Sequence, residues 1–327
     1  MSTKIKIFKT TEIPDSMWHQ IANGYHVCFD IKKKPQELKE SFCKSITGYT
    51  LHALKLTDDG KLMGHNYFQP RPYILNGKKV ICALSGGTFV FPEYRKDIFI
   101  FKDLFNALCK KANELNWVAQ IGVPNENSFE YCRKIIKEKY IGDLNYYILP
   151  VHCAKTLKRK NKLIDLLSSF YALSISNINA VISNFINSKE VIAPLHLNES
   201  IEYLNIRLSN PVYKNIHKGN IKATYRLYTE DGIKTAYILH FSQNGIRTAK
   251  SLAYIVKTIL KHEKIDAILY IGTMNMNQWL LTRVPQKYVP HKLPVCVSVF
   301  DKSNKTLMDI CTSMLNIDYG LINFDVR

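Results

Sequence analysis

The sequence predicts an α/β protein made of two similar domains in tandem, each a mixed, mostly antiparallel twisted sheet with helices on both faces. Residues 78–131 carry the first observation: a β-branched strand, a basic turn, a helix and a second strand, which together form one β-α-β unit. The second observation is that a hairpin turn, a helix and a strand return in the same order between residues 225 and 271.

Other elements of the first half follow from turn signals and from the spacing of apolar residues. Asp59-Gly60 and Asn76-Gly77 are hairpin turns, because glycine accepts a positive φ. Apolar residues spaced by three and four from Ile100 to Leu108 predict one buried helix face. The predicted elements are helices at 16–22, 30–46 and 100–108, and strands at 49–56, 62–68, 79–91, 118–123 and 144–149.

A short repeated sequence pattern supports the interpretation that the chain contains two copies of one fold. Residues 121–128 and 271–278 share Ile, Gly, Asn and Asn in register, each directly after an apolar strand. The predicted domains are therefore 1–150 and 191–327, joined by a basic helical connector over 151–190. In that connector, the basic cluster Lys155–Lys162 precedes a long apolar stretch. The connector packs on its own domains in one interpretation, and makes peripheral contact with an anionic membrane in the other.

Composition limits the classes of protein. With 327 residues and 46% hydrophobic content, the chain has enough apolar material for two cores. The net charge of +18 attracts polyanions such as nucleic acid, anionic lipid or phosphate-bearing ligands, unless the lysines only cover the surface. The eight cysteines include no C-x-x-C pair, which predicts reduced, packed thiols and no metal site. With no secretory signal and no long apolar run, we expect a cytoplasmic protein without a membrane span.

Two stretches carry a resemblance to a known family. Residues 89–95 read Phe-Val-Phe-Pro-Glu-Tyr-Arg, and residues 123–131 read Val-Pro-Asn-Glu-Asn-Ser-Phe-Glu-Tyr. Together with the order of elements over residues 13–150, they resemble the GCN5-related N-acetyltransferases (GNAT), which use acetyl-coenzyme A. The resemblance implies that acetyl-CoA is the cosubstrate of the first domain.

The family's cofactor contacts transfer to specific positions here. The strand before the Pro-x-x-Arg turn offers its backbone to the pantetheine arm, which implies Thr88, Phe89 and Val90. A bulge at Gly86-Gly87 would part the parallel strands and open a slot, although the same pair also fits a simple kink. The pyrophosphate loop would then comprise Arg95, Lys96, Asp97, Ile98, Phe99 and Ile100. Unlike the family's usual loop it contains no glycine, and Lys96 is placed to compensate by its charge.

Three residues after the second strand complete the implied site. Asn125 is a helix cap, and steps of three residues keep Asn125, Ser128 and Tyr131 near one face. The resemblance implies that Tyr131 protonates the departing coenzyme A thiolate. The alternative is a half-buried tyrosine that packs on the sheet. No general base is assigned.

The second domain is predicted to be degenerate. Leu281 stands where Tyr131 stands in the first domain, and the segment 242–245 replaces the Pro-x-x-Arg turn. This domain then has a structural role or lines the acceptor pocket, with Arg207, Tyr213 and the C-terminal residues 325–327 as candidates. Arg207 and Arg327 also fit ordinary surface arginines.

The predicted function is acyl transfer from acetyl-CoA to an amine. Tandem chains resembling this one often accompany surface-polysaccharide synthesis, which implies an amino sugar carried on a nucleotide or lipid phosphate as the acceptor. A protein or antibiotic amine is a second acceptor class. The alternative function is a catalytically inactive GNAT-like scaffold that binds nucleic acid or a protein partner through its basic surface, although no nucleic-acid-binding signature occurs in the sequence.

Overall fold

In the computed structural model, residues 3–324 are described, and they form fourteen strands and nine α-helices. The strands are β1 (Thr3–Lys9), β2 (Leu51–Thr57), β3 (Leu62–Leu75), β4 (Lys78–Val90), β5 (Ala119–Gly122), β6 (Lys139–Asp143), β7 (Tyr146–Pro150), β8 (Leu195–Leu197), β9 (Tyr213–Lys218), β10 (Ile221–Glu230), β11 (Ile233–Gln243), β12 (Ala267–Ile271), β13 (Thr282–Arg283) and β14 (Pro294–Val299). The α-helices are α1 (Asp15–Phe29), α2 (Pro35–Cys43), α3 (Ile100–Glu114), α4 (Glu126–Tyr131), α5 (Cys153–Thr156), α6 (Lys162–Phe185), α7 (Ile201–Arg207), α8 (Ala249–His262) and α9 (Lys305–Cys311).

The chain divides into two compact units that interleave along the sequence. Unit 1 contains the residues up to Asp143 together with Pro194–Ile206 and Leu293–Ile317. Unit 2 contains Leu144–Ala193, Arg207–Lys292 and the residues from Asp318 onward. Each unit has its own mixed sheet, which confirms the predicted fold class.

The sheet of unit 1 has the strand order β1-β2-β3-β4-β5-β14-β6, with β8 beside the end of β3. Only β4 and β5 run parallel, while the other pairs are antiparallel. The turn between β3 and β4 is Asn76-Gly77, with φ values of 47° and 80°, as expected for a two-residue hairpin loop.

Both faces of this sheet are covered by helices. Successive strand residues point to opposite faces, so β2, which is buried along its whole length, contributes to two cores. Leu51 and Ala53 belong to the core with α3, and Leu54 and Leu56 belong to the core with α1 and α2. Helix α3 buries the face predicted from its spacing, including Leu104 and Leu108.

The sheet of unit 2 has the strand order β13-β7-β12-β11-β10-β9, and here β11 and β12 are the parallel pair. Helix α8 begins at the N-cap Thr248 and buries Leu252, Ile255, Val256 and Ile259 against the sheet. Ala172 of α6 lies in the same core. The hairpin predicted at Asp231-Gly232 is present, with φ values of 51° and 77°.

The predicted domain boundaries at 150 and 191 differ from the observed division. Strand β7 was expected to close the first domain, but it pairs with β12 in the sheet of unit 2. Its place beside β5 in unit 1 is taken by β14, from the far end of the chain. The segment 151–190 is therefore part of unit 2 and not a separate connector. The two sheets also contain six strands that were not predicted: β1, β6, β8, β9, β13 and β14.

Because β14 lies inside the sheet of unit 1, we expect Val297→Ala to destabilise that unit. Val297 is 3% exposed and lies between β5 and β6, so the loss should be about 2 kcal/mol. Urea unfolding gives the stability, and hydrogen exchange should show weaker protection in β5 and β6 but not in β12. Val191→Ala, at a position 73% exposed, is the control. Unchanged exchange in β5 and β6 would contradict the placement of β14.

Candidate functional site

The parallel strands of unit 1 part after a very short contact. Strand β5 pairs with β4 only at Cys82 and Ala83, whereas β4 continues to Val90. Against β3, the register passes from His65 opposite Phe89 to Tyr67 opposite Gly86. Two residues of β4, Gly87 and Thr88, therefore oppose Asn66 alone, which is a bulge. The bulge predicted at Gly86-Gly87 is present, and it opens a slot between β4 and β5.

Glycine is required at the centre of the bulge. Gly87 has a φ of 53°, and a Cβ added there would overlap the hydroxyl of Tyr25. The side chain of Asn66 fixes the other strand: its Oδ1 accepts from Thr88 Oγ1 at 2.8 Å, from Ser85 Oγ at 3.2 Å and from the Tyr67 N–H at 2.8 Å. These contacts hold the curvature that keeps the end of β4 away from β5.

The last backbone group of β4 that faces the slot is the carbonyl of Val90. Phe91 donates its N–H to Met63 of β3 at 3.0 Å, so by alternation the carbonyl of Val90 points to the other side. That carbonyl accepts from Arg95 Nε at 3.0 Å, while Cys28 Sγ lies 3.7 Å away. Arg95 thus folds back over the edge that the sequence assigned to a pantetheine arm. Thr88 and Phe89 precede this edge, with the Phe89 side chain buried beneath α1.

The predicted phosphate turn leads directly into the N-terminus of α3. The carboxylate of Asp97 accepts from the Phe99 N–H at 3.0 Å. Lys55 lies 3.7 Å from Asp97 and 2.8 Å from Asp103. A carboxylate at this end of a helix is stabilised by the helix dipole. The chain therefore already places a negative charge where a phosphate would bind, and Lys55 balances part of it.

The side chains of this turn differ sharply in exposure. Ile98 and Phe99 are 54% and 49% exposed, whereas Ile100 is fully buried under the sheet. Lys96 is exposed beside them. The turn therefore presents two apolar side chains and one lysine to solvent.

Tyr131 reaches this same turn. Its ring stacks on Phe101, with centroids 5.3 Å apart and planes 11° apart, and its hydroxyl donates to the carbonyl of Ile98. Partial burial raises the pKa of Tyr131. Asn125 caps α4 as predicted, with its Oδ1 accepting from the Ser128 N–H at 2.9 Å. The structure thus brings Tyr131 to the start of α3, while Asn125 and Ser128 bond mainly to each other.

A buried histidine pair beneath the bulge was not identified as a unit from the sequence. His52 Nδ1 and His65 Nε2 are 3.0 Å apart, and His52 Nε2 lies 3.1 Å from Thr10 Oγ1. Thr10 in turn donates to the carbonyl of Thr50. Two neutral rings satisfy this chain, with His65 donating to His52 and His52 donating to Thr10. Burial lowers the pKa of His65 to about 3 and holds the pKa of His52 well below its usual value.

Unit 2 repeats the parting of the parallel strands. Strands β11 and β12 pair from Thr235 to Ile238, and Leu239 is an extra residue that bulges β11 against β10. A turn with Gly245 at a φ of 79° then leads to α8. The second unit therefore has a slot of the same kind, although its sequence lacks the Pro-x-x-Arg turn.

The slot of unit 2 is filled by residues 187–191, which we call the plug segment. The Ala249 N–H at the start of α8 donates to the carbonyl of Ser188 at 2.8 Å. Glu190 donates its N–H to the carbonyl of Arg247 on one side at 2.9 Å, and Val191 donates to the carbonyl of Asn275 on the other at 3.0 Å. The plug segment thus bridges the loops that follow the two parted strands.

A charged cluster fastens the plug segment. The carboxylate of Glu190 pairs with Arg247 and accepts from the Asn275 N–H at 3.0 Å. Arg247 also pairs with Asp318, which accepts from the hydroxyl of Thr273. At α8, the second helical N–H, that of Lys250, lies 3.3 Å from a side-chain oxygen of the plug segment. The donors that would receive a phosphate are already bonded.

The residues proposed to line an acceptor side have other partners. Arg207 donates from Nε to the carbonyl of Ile322 at 3.0 Å and from an NH2 group to the carbonyl of Phe324 at 2.7 Å. Its other NH2 group lies 3.2 Å from the hydroxyl of Tyr213. Arg207 therefore anchors the end of the described chain. Residues 325–327 lie outside the described residues. Leu281, which the sequence predicts to be the counterpart of Tyr131, is buried in the core of unit 2.

Solved structures with a similar fold include the following three bacterial proteins. A GCN5-related N-acetyltransferase from Kribbella flavida is 9% identical, with a TM-score of 0.56 over 91% of this chain and 72% of that chain. One from Anabaena variabilis is 11% identical, with a TM-score of 0.56 over 91% and 73%. Eis1 from Mycobacterium abscessus is 9% identical, with a TM-score of 0.52 over 92% and 74%.

These likenesses extend over nearly the whole chain, so they are not confined to one unit. No protein-family model and no curated protein matches the sequence. At such low identity the likeness shows the fold. The chain therefore has a fold similar to that of the GCN5-related N-acetyltransferases.

The buried histidine pair predicts a loss of stability in mild acid. An unfolded histidine takes up a proton near pH 6.5, whereas folded His65 does so only near its pKa of about 3, so the free energy of unfolding falls as the pH drops below 6.5. Replacing one such ring, by His65→Phe, should make the slope between pH 5 and 6 shallower by about 1 kcal/mol per pH unit. Urea unfolding at several pH values measures this slope.

The control for this prediction is His26→Gln, on the exposed side of α1, which leaves the buried pair intact. His65→Phe is expected to lower the stability at pH 7.5, because His52 loses its partner. Only the pH slope is diagnostic for that reason. Equal slopes in His65→Phe and in the unmodified chain would show that the pair is already protonated in the folded state.

Proposed function

We propose that this protein is an acyl-CoA-dependent N-acyltransferase, with acetyl-CoA as the favoured donor and unit 1 as the unit that binds it. The parted pair β4/β5, followed by a turn and the N-terminus of α3, is the observation that carries this proposal. A strand edge that no neighbouring strand covers, beside a helix N-terminus, suits an extended ligand with amides at one end and phosphates at the other. The similar fold of known N-acetyltransferases supports the same class of activity.

The residues of the slot fit the pantetheine arm better than they fit the phosphates. An amide N–H of the arm would donate to the carbonyl of Val90 in place of Arg95 Nε, which leaves the guanidinium of Arg95 free to pair with a phosphate. Lys96 adds a second positive charge. Asp97 opposes phosphate binding unless its carboxylate leaves the Phe99 N–H. We therefore expect weaker CoA binding than in a glycine-lined loop.

The acceptor class is an amine, and we propose an amino sugar that carries a nucleotide or lipid phosphate, as in surface-polysaccharide synthesis in the cytoplasm. The net charge of +18 supports an acceptor with phosphates, because the field of the protein raises the local concentration of anions. The test is to incubate the protein with acetyl-CoA and a nucleotide-linked amino sugar. Release of the free CoA thiol then measures acyl transfer to that acceptor.

A second candidate function is an inactive scaffold that binds a polyanion through its basic surface. Its support is specific: Asp97 accepts from the Phe99 N–H just before α3 and Arg95 donates to the carbonyl of Val90, so two of the backbone groups of the slot already have partners within the chain. A salt series separates the two functions. Binding of nucleic acid with a steep salt slope, and no binding of acyl-CoA, would favour the scaffold.

Reversing the charge of Arg95 should weaken coenzyme A binding. Arg95→Glu replaces the proposed phosphate partner with a carboxylate, and we expect affinity to fall by at least about tenfold, the scale of one charge-assisted contact. Calorimetry measures the affinity. Lys110→Glu on the exposed side of α3 changes the net charge equally and is the matched control. The same loss in both variants would mean that only long-range charge is involved.

Tyr131→Phe should lower turnover while leaving coenzyme A binding nearly unchanged. On this proposal the hydroxyl exchanges the carbonyl of Ile98 for the developing thiolate, and one proton donor contributes about 10²–10⁴-fold in rate. The measurement is kcat together with the dissociation constant of CoA. An unchanged kcat with weaker CoA binding would assign Tyr131 to the turn and not to the chemistry.

Titration with acetyl-CoA should give one molecule per chain, because the plug segment fills the second slot. At about 100 times its Kd, the ligand should add about 2.7 kcal/mol to the free energy of unfolding. Two molecules per chain would contradict the assignment of binding to unit 1. The absence of any binding, by calorimetry and by thermal shift, would contradict the proposed function.

A further inference from the structure

Helix α6 has its large apolar side chains on the outside. Phe170, Val181 and Phe185 are 71%, 60% and 84% exposed. At 100° per residue these positions fall on one face of the helix. The other large apolar side chains exposed on the helix are Leu163, Ile164, Leu166, Leu167, Tyr171, Leu173 and Ile178.

The inner face of α6 is made mostly of small and polar residues, although Ile175 also packs against the core. Ala172, Ser176 and Ser183 are the most buried positions of the helix, at 0%, 1% and 4% exposure. They lie on the side that packs against α8 within unit 2. A helix of a water-soluble protein normally buries its large apolar face. The polarity of α6 is therefore inverted, as in helices whose outer surface meets lipid.

Two asparagines on the outer face form hydrogen bonds with the helix itself. Asn177 and Asn184 donate from their amides to the carbonyls of Leu173 and Ala180, at 3.0 Å and 2.9 Å. Between residues 163 and 188 the only charged residue is Asp165, and its carboxylate accepts from the Ala154 N–H at 2.8 Å. Few polar groups on this face of α6 therefore need hydrogen bonds with water.

Positive charge lies at the N-terminal end of the same helix. Arg159, Lys160 and Lys162 are exposed, and among residues 3–324 no carboxylate forms a salt bridge with them. Among the same residues, α6 is the single helix long and apolar enough to span a bilayer by length and composition. Its packed inner face argues against spanning, because that face cannot also meet lipid.

We propose that α6 docks unit 2 onto an anionic lipid bilayer, lying in the plane of the membrane. The apolar face would enter the boundary between headgroups and acyl chains, while the cluster at 159–162 pairs with acidic headgroups. The positive charge of the protein favours a lipid surface over a second copy of the chain as the partner of α6. An anionic headgroup layer neutralises the basic cluster, whereas a second copy with a net charge of +18 adds repulsion.

The test is flotation of the full chain with vesicles of phosphatidylcholine alone and of phosphatidylcholine with 30% phosphatidylglycerol. We expect binding to the anionic vesicles, and weaker binding to the neutral ones. Phe170→Ser with Phe185→Ser should reduce binding to the anionic vesicles by about tenfold or more. Trp279→Ser with Leu315→Ser, at positions 63% and 83% exposed, is the control for removing exposed apolar groups.

A charge variant tests the second half of the proposal. Neutralising Arg159, Lys160 and Lys162 to Gln should reduce binding to the anionic vesicles by about a hundredfold, since each basic residue near the surface contributes a factor of about five. Neutralising the exposed Lys32, Lys33 and Lys34 to Gln removes the same charge elsewhere and should reduce binding much less.

Two outcomes would overturn the proposal. One is a wild-type chain that stays unbound to both kinds of vesicle, or variants of α6 that bind as well as the controls. The other is a dimer in sedimentation equilibrium that dissociates in the Phe170→Ser, Phe185→Ser variant, without vesicle binding. That result would assign the face to a second copy. Urea unfolding of each variant confirms that the chain is folded, since exposed substitutions are expected to cost within about 0.5 kcal/mol.

Discussion

The parting of two parallel strands is the constraint on which both units depend. A parallel pair normally satisfies its backbone groups along its whole length, so each bulge leaves N–H and carbonyl groups that need other partners. In unit 1 the partners are side chains, with Arg95 on the carbonyl of Val90 and Asp97 at the start of α3. In unit 2 they are main-chain groups of the plug segment.

This difference separates the two slots physically. A side chain leaves a hydrogen bond by rotating about single bonds, so a ligand with the same groups competes with it directly. A main-chain segment leaves only by breaking several contacts at once, including the ion pair between Glu190 and Arg247. The unpaired backbone groups are thus bonded by side chains in unit 1 and by a main-chain segment in unit 2.

Local sequence patterns predicted many of the helices, strands and turns. They did not predict which strands pair when those strands lie far apart in sequence. The hairpins, the amphipathic face of α3, the cap at Asn125 and the bulge at Gly86-Gly87 depend on residues close in sequence, which sequence patterns report. The exchange of β7 and β14 depends on pairing between residues far apart in sequence, from Pro150 with Ala267 to Ala119 with Val299. Both strands are short apolar runs that fit either sheet.

The candidate site was likewise predicted only in part from the sequence. The order of strand, turn and helix was readable from the sequence, but the positions of its side chains were not. The direction of Arg95, the bond from Asp97 to the Phe99 N–H and the contact of Tyr131 with Ile98 are set by tertiary packing. The histidine pair joins two strands, and only the register of β2 against β3 brings its rings together.

The position of β14 also affects how the protein is made. The gap between β5 and β6 is filled by residues 294–299, so the first sheet cannot close while the ribosome is still synthesising the middle of the chain. Until then the facing edges of β5 and β6 lack a partner, and unpaired edges are where chains associate. We expect unit 1 to be completed only after residues 294–299 have been synthesised, and slowly, because this strand pairs across a large separation in sequence. Its yield in a cell should therefore depend on chaperones more than its size alone suggests.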